Sequence, residues 1–135
     1  MTKNSYSKRL NYDPNNYRMR SFFDVRPTFF DGSDTPTDYL ERCLDTIAQK
    51  EPTIKAWVTL NVDNARQAAE ESNQRYRRGD PLSPIDGMPI GIKDVLQTRD
   101  MPTELGSPIF KGRQTHMDSA SVNALRLAGA PIVED

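Results

Sequence analysis

Apolar residues recur along the chain in blocks of different period, and each block predicts an element. Leu40, Cys43, Leu44 and Ile47 fall at i, i+3, i+4 and i+7, a single stripe along a helix. Thr35 is placed to cap its start, Pro36 sits where no N–H is needed, and Asp38 and Glu41 put negative charge on the first turn. Pro52 is expected to end this helix, and Ile54–Leu60 (IKAWVTL), with alternating and branched residues, predicts a strand. A second helix is expected from about Asp63 to Arg78, with Val62, Ala65, Ala69, Ser72 and Tyr76 inward and Gly79 as a left-handed stop. Arg75, Arg77 and Arg78 at its end admit an anion site or, more simply, interaction with the negative helix terminus.

After a turn-rich connection at Asp80–Asp86, Met88–Val95 (MPIGIKDV) predicts a buried strand. Leu96–Asp118 is long, irregular and rich in Pro, Gly and Thr, and loops of that length commonly line a site. Asp118 or Ser119 then caps a third helix carrying Val122, Leu125 and Leu127–Ala128, Gly129 marks its exit, and Pro131–Val133 begins another strand. This alternation is the rhythm of an α/β fold, here part of a mixed, largely parallel sheet flanked by helices. Parallel sheets are normally covered on both faces, and no helix follows the last strand to cover it, so a missing partner is expected. The uncovered sheet suits association, and a homodimer is one form of it.

Residues 1–34 break the pattern. They are dense in Asn, Arg, Tyr and Ser, with Phe22-Phe23 and Phe29-Phe30 as aromatic patches, and read as an extended polar arm that docks against something. Residues 35–135 are read as the folded unit. The charge balance of 18 Lys+Arg against 19 Asp+Glu argues against a dedicated nucleic-acid surface. No apolar run is long enough to span a bilayer and the N-terminal stretch lacks the apolar core of a secretion signal, which points to the cytoplasm and away from membranes. One cysteine, Cys43, and one histidine, His116, cannot supply a thiolate-and-imidazole zinc cage. Cys43 lies on the helix stripe and reads as a small buried hydrophobe rather than a reactive thiol.

Lys93 carries the most chemistry. Period-two alternation puts Ile90, Ile92 and Asp94 on one face of the expected strand and Gly91, Lys93 and Val95 on the other. On an internal strand, a lysine ammonium must find acceptors or shed its proton, because an unpaired buried charge is expensive. Bringing a lysine from its free value of about 10.4 to near 7 takes about 4–5 kcal/mol, within the reach of burial, and yields a usable base. The competing reading is a lysine whose strand frays into solvent, or one paired with Asp94 or Asp86. Gly91, two residues earlier, fits close approach by another backbone or a ligand.

The run PLSPIDGMPIGIKDVLQTRDMPTELGSPIFKG, followed by DSASVNALRLAGAPIV, resembles the N-terminal part of the amidase signature family, serine hydrolases that act on amides through a Ser, cis-Ser and Lys triad. The similarity reaches upstream through PTDYLERCLDTIAQKEPTIKAWVTL and covers residues from about 35 to 135. The resemblance implies an incomplete amidase signature fold in which Lys93 is the catalytic lysine: neutral, it accepts a proton from a bridging serine that has deprotonated the nucleophile. It implies a small-molecule amide substrate, no metal and no cofactor. It also implies that both serines and the oxyanion loop lie beyond this sequence, so that the chain alone does not hydrolyse amides and needs the rest of the domain in cis or in trans. The D-M-P-T-E-L-G-S wording resembles the general amidases more than the subunit that amidates misacylated tRNA.

Two rivals stand beside this reading. A dyad of Lys93 with Ser83, Ser107, Ser119 or Ser121 would keep catalysis inside the chain, although those serines suit turns and a helix start. A docking or regulatory module, or one half of a split amidase, would use the aromatic arm and the uncovered sheet. Gly87 and Gly91 lack the spacing of a phosphate loop, and His116 reads as an exposed loop residue. Asp94 and Asp100 read as loop-ordering carboxylates rather than a hydrolytic pair. By resemblance, Met101, Pro102, Thr103 and Glu104 border the substrate pocket.

Overall fold

A computed structural model describes residues 21–134; residues 1–20 of the expected arm lie outside the described residues. The elements run α1 (Phe22–Val25), α2 (Pro27–Asp31), α3 (Pro36–Ile54), α4 (Val62–Arg77), β1 (Ile90–Gly91), a single 3-10 turn at Pro108–Phe110, α5 (Ala120–Leu127) and β2 (Ile132–Glu134). The described residues are therefore mostly helical around a two-stranded parallel sheet, a smaller sheet than the alternation predicts.

Helix α3 begins as expected. The Thr35 hydroxyl accepts the Asp38 N–H at 3.1 Å, and Leu40 and Leu44 are buried on the inward stripe. It does not stop at Pro52 but continues to Ile54, because a proline late in a helix forfeits one backbone bond without preventing closure of the last turn. Lys55 then takes a left-handed conformation, with its N–H on the Glu51 carbonyl at 2.9 Å. The Glu51 carboxylate accepts the N–H groups of Ala56 and Trp57, so the front of IKAWVTL is spent on a helix exit. Only Leu60 forms a bridge, and the strand expected at Ile54–Leu60 is not made.

The strand expected over Met88–Val95 contracts to Ile90–Gly91. Pro89 has no N–H to give a ladder, and beyond Ile92 the chain turns, the Lys93 carbonyl accepting from both Val95 and Leu96. Strand β2 is buried on both faces. Val133 packs with Leu40, Leu44, Ala65 and Ala69 of α3 and α4, while Ile132 packs with Ile92, Met101 and Val122. Helices thus do cover the last strand from both sides, which the sequence pattern alone does not reveal.

Within the arm, residues 22–31 are helical rather than extended. The Ser21 N–H donates to the Asp24 carboxylate and Pro27 sits in the first turn of α2. Phe22 and Phe29 are buried with Tyr76, against Val25, Tyr39 and Met88. Phe29 meets the Tyr76 ring edge-on at 5.3 Å between centroids, a contact worth about 0.5–1.5 kcal/mol beyond burial.

Candidate functional site

Lys93 is placed by a buried polar clamp seven residues upstream. The Asp86 carboxylate is fully buried and takes both arms of the Arg75 guanidinium at 2.7 and 2.8 Å. It also accepts the Ser72 hydroxyl and the Leu82 N–H, while the Asp86 carbonyl accepts the Tyr76 hydroxyl at 2.9 Å. Burial pushes this carboxyl up, but the hydrogen bonds from Arg75, Ser72 and Leu82 outweigh it and hold the group below its ordinary range. Arg75 is correspondingly raised, chiefly by its bond to Asp86. Arg75 is therefore neither an anion site nor a mere terminus cation, but the partner of a buried charge.

The clamp ties α4 to the entrance of β1. Gly87 donates its N–H to the Gly129 carbonyl at 3.0 Å, and Ile90 donates to Pro131 at 2.9 Å, setting β1 beside β2. Gly129 is at φ 91°, and a Cβ there would lie 2.4 Å from Asp86 Oδ1, so only glycine lets this turn reach the carboxylate.

Beyond β1 the predicted alternation holds: Ile92 is buried and Lys93 is exposed. In this chain Lys93 reaches solvent, as the alternative of a fraying strand expects, because no described helix or strand covers that face. Lys93 lies in an open groove of about 470 Å³, lined by Ala56, Trp57 and Val58 on one side and Gly91, Ile92, Lys93 and Asp94 on the other. The Trp57 ring packs directly on Gly91, where a Cβ would come within 2.8 Å of it. The close approach to Gly91 is thus made by a side chain of the same chain.

Neither suggested carboxylate holds the ammonium. Asp86 is committed to Arg75, and Asp94 accepts the N–H groups of Glu104 and Gly106. Glu104 in turn accepts Gly112, so two carboxylates order the irregular loop that starts at Lys93. Asp100 is held by Asn61, Asn64 and Arg126, a further ordering carboxylate rather than half of a hydrolytic pair. Met101 and Thr103 are buried, so this part of the loop builds core among the described residues.

The serines of the dyad reading are engaged elsewhere. Ser83 donates to the Ala128 carbonyl at 2.7 Å, Ser107 accepts Ile109, and Ser119 and Ser121 face each other at 3.3 Å. His116 is exposed in a left-handed turn. Cys43 is partly buried, and burial raises its thiol, which makes it a poor nucleophile. Among the described residues no group of His, Cys, Asp and Glu could hold a metal ion, and no helix is long and apolar enough to cross a membrane.

The sequence profile of the Amidase family matches residues 38–133, a span that contains the clamp, β1, Lys93 and the first residues of β2. The chain belongs to the amidase signature family. It is 39% identical over 102 residues to a subunit of the glutamyl-tRNA(Gln) amidotransferase of Chloroflexus aggregans, covering 76% of this chain and 21% of that protein. It superposes on the native peptide amidase of Stenotrophomonas maltophilia with a TM-score of 0.79 at 26% identity, over 88% of this chain and 25% of that one. A bacterial aryl acylamidase shares the fold, with a TM-score of 0.75 at 21% identity, over 85% of this chain and 24% of that one. The chain spans about a fifth to a quarter of the length of these amidase signature proteins. The likeness to the tRNA-linked subunit is substantial, so the D-M-P-T-E-L-G-S wording does not single out the general amidases.

Proposed function

We propose that this chain supplies the lysine base of an amidase signature active site, and that it hydrolyses a carboxylic amide only as part of a larger amidase domain. The observation that carries the reading is the position of Lys93: at the exit of a clamped strand, in an open groove, inside the span matched by the family. The peptide amidase and the amidotransferase share an amide in their names, and the substrate class proposed here is no finer than that.

In this reading the neutral Lys93 Nζ takes a proton from a bridging serine, which takes one from the nucleophilic serine. The nucleophile Oγ bonds to the amide carbon, the C–N bond breaks, and the nitrogen leaves as ammonia or amine with the relayed proton. Water then cleaves the acyl ester and returns the serine. Both serines come from polypeptide outside the described residues.

The test joins this chain to the rest of an amidase domain, by replacing the matching 102 residues of the Chloroflexus aggregans protein. Hydrolysis of simple aliphatic and aromatic amides is expected from the chimera and not from the chain alone. Lys93→Ala is expected to lower kcat by about 10²–10⁴, the usual contribution of a positioned base. Turnover by the isolated chain that disappears in Lys93→Ala, or a chimera indifferent to that substitution, refutes the proposal. A purely docking role finds support in the same exposed apolar groove and predicts that indifference.

A further inference from the structure

We propose that Asp94 is a positioning residue: through the turn at Leu105 and Gly106 it fastens the 103–113 lobe of the long loop to the strand exit that carries Lys93, so that base and lobe form one piece. The inference rests on the reading of Lys93 above and adds a second residue to that site.

Leu105 and Gly106 are consecutive residues with φ of 58° and 62°. Glycine takes that region freely, whereas a leucine there brings its Cβ against the following carbonyl oxygen and persists only where its surroundings over-determine it. Asp94 supplies that constraint. One carboxylate oxygen accepts the Glu104 N–H at 2.6 Å and the other accepts the Gly106 N–H at 3.3 Å, so a single side chain grips the backbone on either side of Leu105. Hydrogen bonds to a carboxylate are the strong kind. The lobe is also closed on itself: the Glu104 carboxylate accepts Gly112 at 2.6 Å, and Thr103 donates to the Arg113 carbonyl at 2.8 Å. The neck of the loop is tied by other groups. Ser119 donates to the Gln97 carbonyl, the Arg99 N–H donates to Asp118, and Arg126 is paired with both Asp118 and Asp100. Loss of Asp94 therefore frees the lobe and leaves the neck. Asp94 itself lies in a tight turn, since the Lys93 carbonyl accepts the N–H groups of Val95 and Leu96, so the grip acts one residue from the Cα that carries the amine.

The turn is read by NMR on the full chain. A strong HN–Hα Overhauser effect within Leu105 marks positive φ, and amide exchange at Thr103 reports closure of the lobe. Asp94→Ala is expected to weaken the Leu105 effect and to cut Thr103 protection about tenfold or more, while the Arg99 and Ser119 amides at the neck keep theirs. Asp94→Asn retains one acceptor oxygen and should keep the positive φ. Adding Leu105→Gly to Asp94→Ala should restore Thr103 protection, because glycine holds the turn without the carboxylate. In the chimera described above, Asp94→Ala is expected to lower kcat by about 10–10² with little change in KM, since the base is displaced rather than a substrate contact removed, and Leu105→Gly should recover part of kcat. That recovery is what a general loss of stability would not give. A Leu105 that keeps positive φ in Asp94→Ala, protection lost equally at the neck, or no recovery with Leu105→Gly overturns the inference. A chimera that loses activity in Lys93→Ala but not in Asp94→Ala overturns it and leaves the base. A chimera indifferent to Lys93→Ala refutes the base, and with it Asp94 as its positioning residue, whatever the turn does.

Discussion

Replacing Asp86 by alanine removes the carboxylate that holds Arg75 and takes their acceptor from the Ser72 hydroxyl and the Leu82 N–H. The Arg75 side chain is 15% exposed, so part of its charge can recover water, and Ser72 keeps the Gly129 carbonyl within reach. Removing one partner of a buried ion pair costs about 3–5 kcal/mol, and this partial access places the loss at about 3. Arg75→Met is the harsher change, because the carboxylate it leaves has no exposure at all, and it falls toward the upper end of the same range. The double variant is expected to lose less than the sum, with an interaction of about 2–3 kcal/mol recovered once both charges are gone. Urea unfolding followed by far-ultraviolet circular dichroism at neutral pH measures all three. Amide exchange adds a local readout: the N–H groups of Gly87 and Ile90, bonded to Gly129 and Pro131, should lose protection first. A loss below about 1 kcal/mol for Asp86→Ala, or strict additivity in the double variant, refutes the clamp as the device that seats β1.

Gly129→Ala forces a Cβ against the same carboxylate at a φ of 91°, and should destabilise the chain by about 2–4 kcal/mol; in an Asp86→Ala background the penalty should shrink toward the conformational part alone, which the same urea series checks. Asp86 is held below its unfolded value of 3.8, so its contribution is complete above that pH and disappears as the pH falls through the lower folded value. Stability should therefore drop on acidification below about pH 4 more steeply in the parent than in Asp86→Ala, and parallel acid limbs would contradict the assignment. The Thr103 hydroxyl is buried with no hydrogen-bond partner among the described residues, so Thr103→Val should be neutral or stabilising by about 1 kcal/mol, and a clear loss in the urea midpoint would show that the hydroxyl is engaged.

The sequence pattern reads the helices well because their signals are local. Thr35, Pro36 and the Leu40–Leu44 stripe specify α3, and the small residues Ala65 and Ala69 specify the face of α4 that packs on it. It overreads strands, since branched residues at Ile54–Leu60 meet no described partner strand along their length and Glu51 captures the backbone instead. In the described part of the arm the aromatic patches dock as expected but the extended form is not found, because Phe22 and Phe29 gain their helical turns by packing on Tyr39 and Tyr76, contacts invisible to a local period. Arg75 is the residue to which pattern reading gives the wrong partner, the helix terminus or an anion in place of Asp86. Its signal is the isolated Asp86 ahead of Gly87, a carboxylate entering an apolar strand, which demands a cation from elsewhere in the chain.

Strand position and lysine chemistry separate physically in this protein. The clamp, the Gly129 turn and the two clusters that sandwich β2 are all internal to the described residues, and they suffice to place Lys93 at a fixed point of the fold. The surroundings of its side chain are not internal: one face of the strand exit packs Ile92 inward, while the other leaves Lys93 and Val95 to solvent. Changes at Asp86, Arg75 or Gly129 are therefore expected to disturb the seating of β1 and the position of Lys93 together.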